Sequence, residues 1–496
     1  MNLEQQKKRA RELLRAIRGG QPDALARLRR QDPRWADVND AHVRQLAALH
    51  DALYTLAREQ GFASWPKLKA YAQPSPNARH TRVFVADINW IAERARGLVH
   101  AHHSGVPAAL DQIREWHPNL ADATNETIQR AAFTESDAQL VYAREHGFDR
   151  WEDLAARIDA LARGRAEEPF MAAFVAIDRG DVDGLRSQLR LHPQLAHARG
   201  TNGNTLLNLA TSVIGRTRRT DEAAQRAAHL AVDALLEADA NADEANDRGW
   251  TPLHQAGYAN LPDVAQRLIA AGASVDAEAH GSGGTPLVIA LFWGHREVSD
   301  LLASYGVTPR NLRAAAGMGD LALVETFFTV GGGLTPDAGA ARGFYRPHSG
   351  FPDWQPSTDS QDVLDEALVW ACKTDRVEVL DRLLEAGARL DADPYRGTPL
   401  IWATVCNRSR SVAWLLDHGA DVNQRATFGG LSHGQGITAL HLAAQYGHGA
   451  IAQLLVERGA ALAARDDLYH ATPVEGAEYF KQAAVSAYFA SLGTTR

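Results

Sequence analysis

Along the C-terminal two-thirds of the chain, apolar residues fall at helical spacing in short blocks, each opened by a capping residue and closed by glycine. Four openings align directly: Thr251-Pro252-Leu253-His254-Gln255-Ala256, Thr285-Pro286-Leu287-Val288-Ile289-Ala290, Thr398-Pro399-Leu400-Ile401-Trp402-Ala403 and Thr438-Ala439-Leu440-His441-Leu442-Ala443. Each leads to a second apolar stripe ending before Gly-Ala, as in Arg267-Leu268-Ile269-Ala270-Ala271-Gly272-Ala273 and Trp414-Leu415-Leu416-Asp417-His418-Gly419-Ala420. Threonine caps the first helix and proline fills its first turn, where no amide donor is lost. Leucine and alanine form the stripe that packs on neighbouring units, and alanine is small enough to let paired helices approach. Glycine takes the left-handed backbone that ends the second helix, and the Asp/Asn-rich link after it suits a turn. The pattern predicts helical hairpins recurring about every 34 residues.

Weaker copies extend the series. Phe174 to Asp181 and Asn204 to Ala210 open two of them, the latter interrupted by the Arg-rich 216–226 stretch. Asn311 to Gly332 lacks the Thr-Pro, Glu366 to Ala388 has Glu-Ala in its place, and Thr472-Pro473-Val474-Glu475 begins a last, more polar unit suited to capping. About nine units are expected between Pro169 and the C-terminal end. The front third carries a longer duplication: Leu56-Ala57-Arg58-Glu59-Gln60-Gly61-Phe62-Ala63-Ser64-Trp65 recurs as Val141-Tyr142-Ala143-Arg144-Glu145-His146-Gly147-Phe148-Asp149-Arg150-Trp151. Phe and Trp there read as buried anchors of a Gly-Phe-x-x-Trp turn.

The Thr-Pro-Leu-His-x-Ala pattern, recurring in register, resembles the ankyrin-repeat family, in a bacterial type with divergent N-terminal repeats. The resemblance implies an all-α solenoid of stacked helical hairpins. Its expected parts are a divergent helical module over 1–73, a second copy over 83–165 and a repeat array over 169–496 with loop insertions at 331–361 and 427–436. A Pro/Ser/Asn-rich linker, 74–82, separates the two modules. The resemblance also implies a binding scaffold rather than an enzyme, an implication drawn from fold alone.

Composition narrows the partner. The net charge of −8 argues against a dedicated nucleic-acid binder. Positive charge crowds the first helices, at Lys7, Lys8, Arg9, Arg11, Arg15, Arg18, Arg27, Arg29 and Arg30, which reads as a solvated face or as a docking surface for an acidic partner. Two cysteines, Cys372 and Cys406, build no disulfide framework and fit a reducing compartment, hence the cytoplasm. No apolar run is long enough for a membrane span, and the first residues lack the apolar core of a secretory signal. A monomer with an unidentified protein or peptide partner is the expectation, with no cofactor and no metal.

Candidate chemistry is sparse. His280, His348 and His433 lie in loops near glycines, but no metal-binding spacing joins them. His254 and His441 are pattern histidines, with the hydrogen-bonding, structural role the resemblance implies, while Cys372 and Cys406 read as small buried hydrophobes. His102-His103 reads as a turn between two helices. The candidates for partner contact are Trp250, Tyr258, Phe292, Trp293, Tyr395, Arg396 and Tyr446, residue types that bury much area and still hydrogen-bond. Phe292 and Trp293 have a second reading as padding for the insertion. The alternative function is an enzyme or small-ligand pocket walled by Tyr345, Arg346, His348, Asp353 and Trp354 from 343–354, together with His433 from 427–436.

Overall fold

The computed structural model describes residues 3–72, 80–213, 222–279, 283–343, 356–394, 397–426 and 436–493. Among these residues the regular elements are helices, and extended pairing is confined to isolated bridges such as Phe328 with Leu334 and Ala426 with Ile437. No described helix is long and apolar enough to cross a membrane. Contacts divide the chain into two compact units, Met1–Arg248 and Gly249–Arg496. This boundary falls inside the stretch expected to form one array from residue 169.

The second unit is a file of helical hairpins. Its opening helices are Pro252–Ala259, Pro286–Phe292, Leu312–Met318, Ser360–Lys373, Pro399–Val405, Ala439–Tyr446 and Pro473–Tyr479, and each packs on the next in chain order. Thr251, Thr285, Thr398 and Thr472 cap their helices by accepting the amide three residues on, from His254, Val288, Ile401 and Glu475. In the stretch from Leu312 to Phe489 the leucine and alanine stripes form one continuous apolar core. That core is the reason for the stack, because a lone hairpin leaves its stripe in water.

Three sequence expectations change here. The repeat assigned to Glu366 opens earlier, at Ser360, where the Asp359 side chain accepts the amide of Gln361 at 2.8 Å. The first insertion therefore ends sooner than 361. Its described front is also folded: Thr329 N–H donates to Gly333 O at 2.8 Å to close a tight turn, and a 3-10 turn follows at Pro336–Gly339. The last repeat is less polar than expected of a cap, since Tyr469 is 72%, Tyr479 80% and Phe480 45% exposed.

The first unit contains the duplicated segment and the hairpins that open at Pro169 and Leu206. Phe62 and Phe148, equivalent in the two copies, stack on each other at 5.5 Å between ring centres. The residues six places beyond each motif tryptophan, Tyr71 and Arg157, both reach Glu168, at 2.6 Å from the Tyr71 hydroxyl and 3.2 Å from an Arg157 Nη. Arg157 is fully buried and also donates to Gln60 O at 3.2 Å. Gly61 permits that packing: it has a positive φ of 82°, and a Cβ there would fall 2.2 Å from Arg157 Cα. The end of the expected linker is tied down, with Thr81 N–H on Glu145 O and Arg82 N–H on Arg199 O, at 2.8 and 2.7 Å. His102 is not in a turn. It lies in the helix Ile88–His103, fully buried, bonded to Ile128 O at 2.6 Å and stacked on Phe133.

Burial alone would raise the Glu168 carboxyl, but Arg157, Arg82 and the Tyr71 hydroxyl outweigh it and hold Glu168 below the usual range. A carboxyl depressed in the fold stabilises above its ordinary pKa and loses that contribution as pH falls. Glu168→Gln leaves Arg157 buried without its countercharge. We expect a loss of about 3–5 kcal/mol in denaturant unfolding at pH 7. Tyr71→Phe, which removes one hydrogen bond and no charge, should cost about 1 kcal/mol.

Candidate partner-binding site

The site is built from the far ends of the opening helices in the second unit. Counted from Thr251, Thr285, Glu366, Thr398, Thr438 and Thr472, the positions that align between repeats, the ninth residue on turns left-handed: Asn260, Gly294, Asp375, Asn407, Gly447 and Lys481 have φ of 52°, 71°, 61°, 59°, 74° and 57°. This turn aims the tenth residue back at the preceding repeat. His295 Nε2 bonds Tyr258 O at 3.0 Å, Arg408 Nε bonds Lys373 O at 2.9 Å, His448 Nε2 bonds Val405 O at 3.3 Å and Gln482 Nε2 bonds Gln445 O at 2.9 Å. The acceptor in each case is the carbonyl of the seventh residue, one of the helix-end groups that helical bonding leaves unsatisfied. A second ladder runs at the cap end. His254 and His441 accept the cap amide on Nδ1, so Nε2 carries the proton and donates to Gly284 O at 3.0 Å and Ala471 O at 3.1 Å. Both ladders hold neighbouring repeats in fixed register, and the pattern histidines are structural in this geometry.

The seventh and eighth positions line up beside the far ladder, and Tyr258, Phe292, Trp293 and Tyr446 are the aromatics among them in these repeats. Trp250 packs on Tyr258 at 5.9 Å, Tyr258 on Trp293 at 5.3 Å and Trp293 on Phe292 at 5.3 Å, all edge to face. Trp250, Tyr258 and Trp293 are partly exposed, and Tyr446 is 43% exposed and stacked on His448. Phe292 differs: at 4% exposure it lies inside, against Trp370 and Trp402, so it supports the row from beneath. Tyr395 and Arg396 lie outside the described residues. So do His280 and the whole alternative pocket wall of Tyr345, Arg346, His348, Asp353, Trp354 and His433.

Beneath the row is a residue that sequence reading did not single out. Lys373 is 1% exposed, and its Nζ lies 4.3 Å from the Phe292 ring centre and 3.7 Å from that of Trp402. It donates to Phe292 O at 2.9 Å. Burial pulls this ammonium down to about 7, with Cys406 and Glu366 opposing the shift and Arg313 adding to it. Lys373 thus joins three opening helices, those of Phe292, Lys373 and Trp402. Nearby, Glu366 binds Arg313 at 2.5 Å and Arg342 at 2.6 Å, all three side chains almost wholly buried. The only advance signal for Lys373 was its register, at a position where other repeats carry aromatic or surface residues. Cys372 is buried as expected, whereas Cys406 is half-buried against Gly294.

Other features carry less. In the first unit Glu145 is buried beneath Gln112, whose Nε2 donates to it at 2.7 Å. Burial, helped by the charges of Asp247 and Glu115, pushes its carboxyl up to about 8. Its counterpart in the first copy, Glu59, instead pairs with Arg27 at 2.8 Å, so the duplication gave no hint of it. Of the N-terminal basic residues, Arg9 pairs with Glu167 and Arg29 with Asp40, which supports the solvated-face reading. A small open cleft beside Thr285 and Asn311 is lined, among the described residues, by no histidine or cysteine. Among the described residues no group of three His, Cys, Asp or Glu side chains is placed to hold a metal.

Fold and register together define a helical repeat protein whose units are coupled end to end within the second unit. Comparison with known families gives the kind: ankyrin repeats in three copies match residues 221–311 and 312–426, and a single ankyrin repeat matches 435–467. The chain is an ankyrin-repeat protein. It is similar to the "Ankyrin repeat and KH domain-containing protein mask-1" of Caenorhabditis elegans, with 31% identity over 229 residues, covering 42% of this chain and 8% of that protein. It is also similar to the "Ankyrin repeat domain-containing protein SAT10" of Stachybotrys chartarum, with 29% identity over 237 residues, covering 42% of this chain and 12% of the relative. The chain thus spans a small part of each relative. Ankyrin repeats are in general scaffolds for protein–protein interaction.

Two outcomes test this geometry. Gly294 has a positive φ, and a Cβ there would meet Lys373 O at 2.6 Å and Cys406 Sγ at 2.8 Å. Gly294→Ala should lower stability by about 2 kcal/mol or more, read by denaturant unfolding. His254 is held down to about 4 by burial, so it stays neutral in the fold while the unfolded chain takes up a proton below about 6.5. Stability from this group is therefore full above pH 6.5 and falls as pH drops toward 4, by roughly 2 kcal/mol at pH 5. His254→Gln should flatten that part of the pH–stability curve.

Proposed function

We propose that this chain is a scaffold that holds a protein or peptide partner against the row formed by Trp250, Tyr258, Trp293 and Tyr446, with Phe292 as its support. The single observation carrying this reading is the row itself: Trp250, Tyr258 and Trp293 in successive ring contact and partly exposed, with Tyr446 further along the file stacked on His448, all mounted on repeat ends that the ladders hold in register. Rigid aromatic anchors bind at low entropic cost because little must be ordered when the partner arrives. Tyr395 and Arg396, in the link before Thr398, are further candidates by residue type alone. The partner is unidentified. We place the interaction in a reducing cytoplasm, away from membranes and nucleic acid, and assign the scaffold as a monomer without catalytic activity.

Affinity capture with tagged full-length chain, followed by titration of the recovered protein, tests the proposal. Trp250→Ala with Trp293→Ala, and separately Tyr446→Ala, should each weaken a defined protein partner about tenfold or more, with unchanged circular dichroism. His348→Ala with His433→Ala should leave that partner bound. Loss of a co-purifying small molecule in the histidine variant, with partner capture unaffected by the aromatic variants, would establish the pocket reading instead.

A further inference from the structure

The first unit carries a basic row that ends on two exposed leucines, and we infer that this row docks an acidic protein segment bearing a large apolar side chain. The inference goes beyond the aromatic row and does not depend on it. In the helix Leu3–Arg18, Ala10, Leu13 and Ile17 face the interior at the three- and four-residue step of one helical face. Lys8, Arg11, Arg15 and Arg18 repeat that step on the solvent side, as a row of cations about 15 Å long. Other arginines of the same module are neutralised locally: Arg27 by Glu59 at 2.8 Å, Arg29 by Asp40 at 2.6 Å, and Arg34 by Asp32 and Asp51 at 2.6 and 3.1 Å. Among the described residues, no carboxylate lies within ion-pair reach of Lys8, Arg11, Arg15 or Arg18. Glu12 is exposed on the flank of the row, so the row keeps a cationic surplus.

The end of the row is fixed in place. Arg18 donates Nε and Nη2 to Ala47 O at 3.3 and 3.1 Å, and the exposed Arg44 donates Nε to Arg18 O at 3.1 Å. Both guanidiniums are held by neutral carbonyls, so their charge is not cancelled and further N–H groups remain to donate. A carboxylate matches that planar fork, and side chains already held lose little freedom when a partner arrives. Ala47 lies between Leu46 and Leu49, which are 62% and 40% exposed. They end the helix Asp40–Leu46 and open the helix Leu49–Glu59, and both helices pack on Leu3–Arg18. A purely acidic segment would leave these leucines wet, and a purely apolar one would leave the cations unmatched. A lipid surface would call for the apolar side of the helix, but Ala10 and Ile17 are wholly buried and Leu13 is 3% exposed. A nucleic acid would run past the row, onto a chain whose net charge is −8.

The probes are fluorescein-labelled twelve-residue peptides with four glutamates and two leucines, four glutamines and two leucines, or four glutamates and two alanines. Each is titrated with the full chain by fluorescence anisotropy. The glutamate–leucine peptide should bind about tenfold tighter than the glutamine one and about threefold tighter than the alanine one, the first difference shrinking as salt rises. Arg11→Gln with Arg15→Gln should erase most of the glutamate preference, and Leu46→Ala most of the leucine preference. Neither should move the melting temperature, because these side chains are exposed. Equal binding of the glutamate and glutamine peptides, equal binding of the leucine and alanine peptides, or a glutamate preference surviving in the arginine variant would each overturn the inference. So would tighter binding, lost in that same variant, to phosphatidylserine vesicles or to a DNA duplex. Trp250→Ala with Trp293→Ala should leave the glutamate preference intact; its loss there would move the acidic segment to the aromatic row and overturn the inference as well.

Discussion

The carbonyl groups at the end of a helix must find donors outside it, and in the second unit this need couples one repeat to the next. Apart from Ser360–Lys373, with 14 residues, the opening helices are about two turns long, too short to be stable by themselves in water. Apolar burial supplies the driving force, but burial has no direction and tolerates sliding. The side-chain rungs add direction: a histidine, arginine or glutamine at a fixed position meets one particular carbonyl of an earlier helix. At the opposite ends, His254 and His441 act likewise. Two lines of polar contact, one at each end of the helix layer, leave little freedom for neighbouring hairpins to shear.

That coupling explains why a buried lysine is tolerated. Lys373 sits where three helix ends converge, with rings on two sides and a carbonyl in reach. Its ammonium is costly to desolvate, and the rings recover part of that cost through their negative faces. The alanines and glycine of the Leu312–Met318 helix leave room for this convergence, since Gly317 approaches both Leu291 and Trp370 closely. The aromatic row is thus the exposed margin of a packed polar and aromatic junction, and its geometry is inherited from that junction.

Much of the fold could be read from the sequence because the governing signals are local. Thr-Pro at a helix start, a leucine and alanine stripe, and glycine at a helix end each act within a few residues, and their period announces a stack. The start of the Ser360–Lys373 helix was misplaced because Asp359 caps it without a Thr-Pro, and the Glu-Ala pair that lines up with the other repeats lies inside the helix. The site was only partly legible. Trp250, Tyr258, Trp293 and Tyr446 were picked out by residue type, but type alone does not distinguish Phe292, which is interior. Lys373, Glu145 and the Glu168 cluster depend on contacts across distant parts of the chain, which no local pattern encodes. The rungs were hidden for the same reason, since their donors are as different as His295, Arg408 and Gln482.

The duplicated segment of the first unit shows what happens when twins specialise. Tyr71 and Arg157 descend from corresponding places in two copies, yet one now brings a hydroxyl and the other a full charge to the same carboxylate. Neither copy remains a spare for the other. Excising either would strand a polar group in the interior, so the pair now evolves as a single inheritance, and insertions can be accepted only outside the aromatic seam where Phe62 meets Phe148.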